Sequence, residues 1–206
     1  NAGHTVVVEG RMYKFHLVPS GVLNPGKTVV LGIGMVVDLA TLFEELAQLE
    51  QAGISWQGRV LISDRAHLVL PRYKEMDKTR DRARPKPLGT TGRGIGITYA
   101  LKAFREGIRI ADLFESGVWS SLEPGDREFL QPYLERVRAM MVDVSALLYQ
   151  KRDRNILLEG AQGTLLDLDL GTYPFVSSGI SCAAGAALGA GIGPQEIDRV
   201  IGVFKA

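Results

Sequence analysis

The chain has 206 residues, 46% hydrophobic and 23% charged, which is typical of one or two globular domains with a real core. Its 24 Lys and Arg residues nearly balance 23 Asp and Glu residues, which argues against a general polyanion-binding protein. One cysteine, Cys182, excludes an internal disulfide framework and fits a reducing cytoplasm. Without an apolar run of roughly 18 residues or a basic-then-apolar leader, neither membrane insertion nor secretion is expected.

The first third of the sequence predicts strands that alternate with one helix. β-Branched and aromatic runs on either side of Glu9-Gly10 indicate a β-hairpin. Apolar residues spaced by three and four indicate an amphipathic helix between its N-cap, Asp38, and Gly53. The predicted elements are a hairpin over 5–18, one continuous strand over 28–37, the helix after Asp38 and a short strand over 59–63.

The segment 72–86 differs from its surroundings because it holds seven basic and three acidic side chains, a local charge of +4. Pro85 and Pro87 close it, and this composition predicts a mobile surface segment. Nucleic-acid binding is an alternative, although Tyr73 is the one aromatic residue among these charges. A solvated loop, or one that attracts a small anionic substrate, is the favoured interpretation.

The rest of the chain predicts helices around loops rich in glycine. The predicted elements are a helix after 96, a short helix over 111–114, a long helix over 125–150, a strand over 155–158, an extended segment over 173–178 and a helix over 181–191. Alternating strands and helices predict an α/β fold with a mostly parallel central sheet and flanking helices. A helical subregion lies at about 97–150, and no linker divides residues 1–206 into two domains.

Three glycine-rich turns are candidate ligand loops, because glycine lets backbone N–H groups approach phosphate or purine oxygens closely. They lie at 32–34, 89–96 and 160–163. Thr90 and Thr91 add hydroxyl groups that can cap a helix or bind a phosphate. Gln162 follows a predicted strand and offers both a donor and an acceptor to a purine edge.

The acidic pair and the histidines give weaker signals. Asp167 and Asp169 could form a carboxylate pair, but turn capping is the favoured interpretation of this spacing. His4 heads an extended run and is a candidate acid or phosphate contact, whereas His16 lies within a strand pattern and is interpreted as structural. His67 is open to either interpretation, and three scattered histidines give little support for a metal site.

Taken together and in this order, several segments resemble the adenylosuccinate synthetase family of AMP synthesis. The most specific is the string Gly-Thr-Thr-Gly-Arg-Gly-Ile-Gly at 89–96. The other matching strings lie at 1–6, 14–21, 62–67, 158–167, 171–176 and 197–206. The resemblance covers essentially the whole chain and implies a layered architecture like that of the P-loop NTPases.

The resemblance implies a ligase that joins IMP to L-aspartate, with GTP as co-substrate and Mg²⁺ as the metal. In that reaction GTP phosphorylates the 6-oxygen of IMP, and the aspartate amine then displaces the phosphate. His4 matches the family histidine that supports the γ-phosphate as an acid. Gly3 matches the residue whose carbonyl group ligates Mg²⁺, a hard cation suited to oxygen ligands.

The IMP-binding positions that the resemblance implies are Asn1, Thr91, Arg105, Gln162 and Ser177. Arg105 matches the arginine that reaches the IMP phosphate of the partner subunit, so the resemblance implies a homodimer. A cytoplasmic enzyme without a nucleic-acid or membrane partner is therefore expected.

Some family features are missing from the sequence or altered in it. The Gly-Asp-Glu-Gly-Lys-Gly loop with its catalytic aspartate is absent, as are the aspartate-binding and guanine-recognition regions. The chain is therefore expected to be an internal segment, incomplete at both ends, without most of the GTP site and inactive alone. Ile97, Leu170 and Gly179 stand where the family usually has other residues. The alternatives are a non-catalytic purine-nucleotide-binding protein and a paralogue that acts on another purine nucleotide.

Overall fold

The computed structural model describes residues 2–204, in which strands and helices alternate through the first two thirds. The strands are β1 (His4–Val8), β2 (Arg11–Phe15), β3 (Val29–Leu31), β4 (Val36–Val37), β5 (Val60–Ser63), β6 (His67–Leu68) and β7 (Met141–Val142). The helices are α1 (Leu39–Gln51), α2 (Pro71–Arg82), α3 (Ile95–Phe104), α4 (Ser116–Ser121), α5 (Pro124–Leu130), α6 (Leu134–Met140), α7 (Val144–Gln150) and α8 (Ala183–Ala190). Short 3-10 turns cover Ser20–Leu23, Ala111–Phe114, Gln131–Tyr133, Thr164–Leu166 and Pro194–Glu196.

Parallel pairing dominates the centre of the structure. Strands β3, β5 and β7 form one sheet with β5 in the middle, and β4 pairs with β6 in a second parallel sheet. The strands β1 and β2 pair antiparallel, and their turn places Glu9 and Gly10 at φ 49° and 76°, as a tight hairpin requires. The predicted α/β class and the predicted hairpin are both confirmed.

The prediction of one continuous strand over 28–37 is wrong. Its two halves belong to different sheets, and residues 32–34 turn between them against the backbone of α8. The amide of Gly34 donates to the carbonyl oxygen of Gly189 at 3.1 Å, and a Cβ on Gly32 would stand 2.5 Å from that same oxygen. A side chain at Gly32 would therefore collide with α8, which explains the glycine inside an otherwise strand-like run.

Helix α1 confirms the predicted amphipathic helix and supplies much of the core. Leu39, Leu42, Leu46 and Leu49 are each at most 1% exposed and line one face of the helix. They pack in one hydrophobic cluster with the inner residues of β5, of which Ile62 is fully buried. Burying each of these side chains stabilises the fold by about 2 kcal/mol.

The prediction of a mobile surface segment over 72–86 is wrong, because residues up to 82 form α2. The helix begins at Pro71, whose missing N–H costs nothing in the first turn, and Arg80 and Arg82 lie at its C-terminal end, where cations are favoured. Its ion pairs reach other elements: Arg72 contacts Glu123 at 2.6 Å. Charged residues hold this helix in place, so a pattern of apolar residues could not predict it.

The predicted long helix over 125–150 is broken into three. Pro132 lies in a 3-10 turn between α5 and α6. Beyond α6 the chain extends as β7, where Met141 pairs with Ile62 of the neighbouring strand. Asp143 then caps α7 by accepting a hydrogen bond from the amide of Ala146 at 3.0 Å. Pairing with a distant strand overrides a local helical pattern here.

Two predicted extended segments are not strands either. Residues 155–158 pair with no strand in the part of the chain that the structure describes, and Leu157 is 84% exposed. Residues 173–178 form turns instead of an extended run. Helix α8 confirms the predicted small-residue helix near 181–191, although it is shorter.

A buried carboxylate ties the end of the hairpin to α1. Glu45 is 3% exposed and accepts hydrogen bonds from the amides of His16, Leu17 and Val18 at 2.6, 3.1 and 2.9 Å. The His16 ring nitrogen Nδ1 also lies 3.3 Å from the same carboxylate. The structural interpretation of His16 is therefore supported by its contacts.

Replacing Glu45 with alanine should lower the free energy of unfolding by about 3 kcal/mol, because three amides lose a charged acceptor in a buried setting. Urea unfolding followed by circular dichroism measures this change. The matched control is Glu44→Ala on the exposed face of the same helix, which should change the free energy of unfolding by less than about 0.5 kcal/mol. Equal effects from the two variants would contradict this role of Glu45.

Candidate functional site

Two of the three glycine-rich turns meet the segment 177–179 around the first turns of α3. The hydroxyl group of Tyr99 donates to the carbonyl oxygen of Gly34 at 2.7 Å, and burial raises the pKa of Tyr99 to about 12. A Cβ on Gly96 would stand 2.9 Å from Oγ of Ser178. Lys86, just before the loop 89–96, places its Nζ 4.9 Å from the ring centre of Phe175. The start of α3 is therefore the centre of the candidate site.

The third turn, 160–163, is exposed, carries Gln162 and contacts the start of the segment before α8, where the carbonyl oxygen of Gly163 accepts from the Ser181 hydroxyl group at 3.1 Å. The backbone of Gln162 has φ 70°, in the left-handed region that residues with side chains rarely adopt. Its side chain is exposed and forms no hydrogen bond with any residue in 2–204. A strained backbone that presents a free amide group is typical of a ligand contact.

Thr91 and Ser177 present hydroxyl groups from the two neighbouring segments. The side chain of Thr91 is exposed, and its hydroxyl group has no partner among the described residues. Oγ of Ser177 lies 3.3 Å from both the amide and the carbonyl oxygen of Gly179 and closes a turn. The Thr91 hydroxyl group is thus free to bind a ligand. The Ser177 hydroxyl group would have to give up its contacts with Gly179 before it could bind a ligand.

Asp167 organises the loop on which Ser177 lies. Its two carboxylate oxygens accept hydrogen bonds from four amides, those of Asp169, Leu170, Ser181 and Cys182, at 2.7 to 3.1 Å. These hydrogen bonds lower the pKa of Asp167 to about 2, and the bond from the Leu170 amide has the largest effect. The contacts support turn capping over the carboxylate-pair interpretation, and they join the chain before Ser177 to the start of α8.

The contribution of Asp167 to stability should depend on pH. In the folded protein the pKa of the Asp167 carboxyl group is lowered from 3.8 to about 2. The stability that its ionised form contributes is therefore complete above about pH 4 and is lost as the pH falls towards 2. Asp167→Asn should therefore be less stable than the parent near pH 7, and the difference should shrink between pH 4 and 2. Urea unfolding across this range, with the exposed Asp169→Asn as control, measures it. A difference independent of pH would contradict the assignment.

His4 is the first residue of β1, and its ring contacts the carbonyl oxygen of Ala2 and the ring of Phe15. Its Nδ1 lies 3.1 Å from the carbonyl oxygen of Ala2, and its ring lies 5.7 Å from the ring of Phe15. Its Nε2 is buried and has no hydrogen-bond partner among residues 2–204. The ring is therefore oriented with Nε2 left for a ligand, as an acid or a phosphate contact requires.

Gly3 lies against the neighbouring histidine of the hairpin. A Cβ on Gly3 would stand 3.2 Å from the His16 ring, so a larger residue would displace it. A small cavity connects this end of the hairpin with the glycine-rich loop, and its lining includes His16, Asp38, Thr41 and Arg93. The hairpin and the loop before α3 therefore face one space.

Arg105 lies at the other end of α3, away from the glycine-rich turns. Its φ of 67° is in the left-handed region, and its side chain is exposed without a partner in residues 2–204. Phe104 beside it is 69% exposed. The Arg105 side chain is therefore available for a contact outside the described part of its own chain.

His67 is buried near this end of α3, and its Nδ1 has no hydrogen-bond partner among the described residues. Its pKa is lowered to about 4, first by burial and then by the positive charges of Lys102 and Arg109. Its ring crowds Gly107, where a Cβ would stand 2.6 Å from it. Of the two interpretations left open for His67, the structural one is supported.

Several sequence predictions fall outside these contacts. Asn1 lies outside the described residues. No group of three or more His, Cys, Asp or Glu side chains that could hold a metal ion is found in residues 2–204. In the same range, no helix is both long and apolar enough to cross a membrane. Sequence reasoning missed Glu45, because its partners are backbone amides that no side-chain motif marks. It favoured turn capping for Asp167, but not the contacts of that residue with Ser181 and Cys182.

These loops define an α/β protein with a site suited to a purine nucleotide. A family model described as adenylosuccinate synthetase matches residues 1–124 and 125–206. The chain belongs to the adenylosuccinate synthetase family. Among curated relatives, the adenylosuccinate synthetases of Nostoc sp. strain PCC 7120 and Desulforudis audaxviator are 46% and 44% identical over all of this chain.

Solved structures agree with this family assignment. A fully ligated adenylosuccinate synthetase from Plasmodium falciparum matches 95% of this chain with a TM-score of 0.86 at 30% identity, and the match covers 51% of that chain. A succinoaminodeoxyadenylate synthetase of cyanophage S-2L, bound to dGMP and dATP, matches 95% of this chain and 50% of its own, with a TM-score of 0.68. At 23% identity this second match shows the fold alone.

The chain spans about half the length of the curated relatives it matches, 52% for the Nostoc protein and 54% for the Desulforudis protein. The Nostoc alignment runs over 231 positions, so at least 25 of them have no residue in this chain. The two segments of the family match meet between 124 and 125, where α5 begins. A stretch missing at this point, relative to the family, accounts for both observations.

Proposed function

We propose that the protein to which this chain belongs is an adenylosuccinate synthetase, which joins IMP to L-aspartate and uses GTP. The observation that carries the proposal is the match to adenylosuccinate synthetases at 44–46% identity over all of this chain. The exposed Gln162, with its left-handed backbone and its side chain free of hydrogen bonds within residues 2–204, adds local support. A cytoplasmic location is part of the proposal, because the substrates are soluble nucleotides.

In this proposal the chain supplies the IMP side of the active site. Gln162 pairs with the purine edge, since its amide group offers one donor direction and one acceptor. Thr91 binds the phosphate through its hydroxyl group, and Ser177 contributes a second hydroxyl from the turn that Asp167 organises. Asn1 completes the set.

The reaction proceeds in two steps. A base that this chain does not contain removes the N1 proton of IMP, the 6-oxygen attacks the γ-phosphorus of GTP, and GDP leaves. The aspartate amine then attacks C6, and the C6–O6 bond breaks so that phosphate departs with the former 6-oxygen. Phosphorylation turns a poor oxide leaving group into a good one, and the protein's part is positioning and charge stabilisation.

His4 acts on the transferred phosphoryl group. Because Nδ1–H donates to the carbonyl oxygen of Ala2, Nε2 donates to a phosphate oxygen when both ring nitrogens carry a proton. Mg²⁺ supplies neutralising charge when bound. The carbonyl oxygen of Gly3 would give it one ligand, and substrate phosphates would supply others, since Mg²⁺ is usually held by few protein oxygens.

Arg105 completes the IMP site of a second copy of the chain. Its guanidinium group is suited to a bidentate contact with phosphate that lysine cannot reproduce. The exposed Arg105 and Phe104 at the end of α3 support this arrangement. The active form is then a homodimer in which each subunit contributes to both sites.

The full-length protein, assayed with IMP, GTP, aspartate and Mg²⁺, should form adenylosuccinate, GDP and phosphate, with none formed when aspartate is omitted. Chromatographic separation of the nucleotides measures this directly. The isolated 206-residue chain should bind IMP weakly and turn over nothing. Absence of adenylosuccinate from the full-length reaction would contradict the proposal.

A second candidate is the same chemistry on another purine nucleotide. Leu170 and Gly179 stand where the family usually has other residues, and a Cβ on Gly179 would stand 3.8 Å from the Tyr99 hydroxyl group at the centre of the site. Replacing IMP with GMP or dGMP in the same assay separates the two candidates. Turnover with either nucleotide but not with IMP would favour the second.

A further inference from the structure

Helix α2 forms the support on which the glycine-rich loop 88–94 rests. A Cβ on Gly92 would stand 3.0 Å from the Lys78 side chain, and one on Gly94 would stand 3.0 Å from the backbone of Tyr73. Both glycines have left-handed φ values, 63° and 75°. The loop is therefore fitted closely to this helix, with glycine required where it touches.

One carboxylate of α2 binds three consecutive amides of this loop. Oδ1 of Asp81 accepts from the amide of Leu88 at 2.8 Å, and Oδ2 accepts from the amides of Gly89 and Thr90 at 3.1 and 3.2 Å. These are charge-assisted hydrogen bonds, the stronger kind. Both oxygens are engaged by the loop, so this carboxylate acts through the loop.

A second carboxylate, one helical turn earlier, holds the other end of the loop. Asp77 is 8% exposed, and its Oδ2 accepts from the amide of Gly94 at 2.9 Å, just before α3 begins. Thr91 lies between the two anchored ends, exposed and without a partner among the described residues. The two anchors thus hold the segment at the centre of the site and leave its hydroxyl group free.

We infer that Asp81, together with Asp77, is a positioning residue that holds the loop 88–94 so that Thr91 meets the anionic end of a purine nucleotide. The inference rests on the proposed function for the identity of that nucleotide. The sequence predicts that this loop binds phosphate through its backbone amides. The amides of residues 88–90 and 94, however, already donate to Asp81 and Asp77 of α2. The hydroxyl groups of the loop carry the contact instead.

The role of Asp81 concerns this loop rather than the stability of the whole fold. The partners of its carboxylate are exposed or half-exposed loop amides, and none of them belongs to the hydrophobic core. Removing the charge should therefore loosen 88–94 and leave the rest of the molecule folded. This separates a positioning role from a general structural one.

The test compares Asp81→Asn with Glu75→Gln in the full-length protein. Glu75 lies on the same helix and pairs with Lys78, so its variant removes one negative charge and keeps every hydrogen bond between the two aspartates and the loop amides. Amide hydrogen exchange of peptides covering 88–94 should be at least about tenfold faster in Asp81→Asn and unchanged in Glu75→Gln. The KM for IMP should rise about tenfold in Asp81→Asn, with kcat changed less than about threefold.

Asp81→Glu keeps the negative charge and should restore both exchange and KM to within about threefold of the parent values. Exchange in Asp81→Asn equal to that in the parent would overturn the inference, whatever nucleotide the protein uses. Faster exchange with an unchanged KM would overturn it as well, since loop order would then not matter for binding. Failure of the parent protein to use IMP would instead contradict the proposed function, and the exchange comparison would still decide whether Asp81 holds the loop.

Discussion

Replacing His4 with asparagine should lower kcat of the full-length protein by about 10²- to 10³-fold, with the KM for IMP changed less than about threefold. Asparagine can keep the contact with the carbonyl oxygen of Ala2, because its amide nitrogen replaces Nδ1. It places no group where Nε2 stands, so the transferred phosphoryl group loses its acid. Steady-state kinetics with IMP as the varied substrate measure both constants.

The matched control is His16→Asn in the same hairpin. His16 contacts Glu45 and Gly3, so this variant should lower stability while kcat stays within about threefold of the parent. A large loss of turnover in both variants would indicate damage to the hairpin and not loss of an acid. Near-parental turnover in His4→Asn would remove His4 from the mechanism.

Replacing Arg105 with leucine should raise the KM for IMP by about 30- to 100-fold, because a bidentate contact with phosphate is lost. The side chain has no partner in its own chain as far as residue 204, so the variant should fold like the parent. Circular dichroism and sedimentation equilibrium check the fold and the association state. Glu106→Gln, the exposed neighbouring residue, is the control and should leave the KM unchanged within about twofold.

Mixing the two variants, with IMP near the KM of the parent so that each alone turns over little, tests whether the site is shared. In a mixed dimer, the site with its own His4 receives Arg105 from the other subunit, so one of its two sites is intact. After free exchange at equal amounts, half of the dimers are mixed, and activity should recover to about a quarter of the parent value. No recovery on mixing, with subunit exchange demonstrated, would contradict a site completed by Arg105 of the partner.

The elements that the sequence predicted well are those whose stability is local. Helix α1 carries its own apolar stripe, and the hairpin carries its own turn at Glu9-Gly10. Helix α2 was missed because its ion pairs and loop contacts involve residues far along the chain. The break after α6 was missed because Met141 pairs with β5, about 80 residues earlier, and no local pattern records that pairing.

The residues of the candidate site also divide into those that the sequence predicts and those whose roles depend on the fold. Gln162, Thr91 and Arg105 are recognisable in the sequence because they lie in strings shared with a family, and the structure leaves each side chain free to contact a ligand. Asp81 had no such signal as a loop anchor, and for Asp167 the sequence favoured turn capping without indicating its partners in 181–182. Their roles depend on amides brought to them by the fold, and an aspartate in a charged or turn-rich segment has many simpler explanations.

The most direct test of the proposed reaction measures whether the 6-oxygen of IMP is transferred to inorganic phosphate. IMP labelled with a heavy oxygen isotope at the 6-position is incubated with the full-length protein, GTP, aspartate and Mg²⁺, and the inorganic phosphate is analysed by mass spectrometry. Because phosphate leaves with the former 6-oxygen, the two-step mechanism predicts one labelled oxygen in each phosphate formed. Unlabelled phosphate alongside adenylosuccinate, or no adenylosuccinate at all, would contradict it.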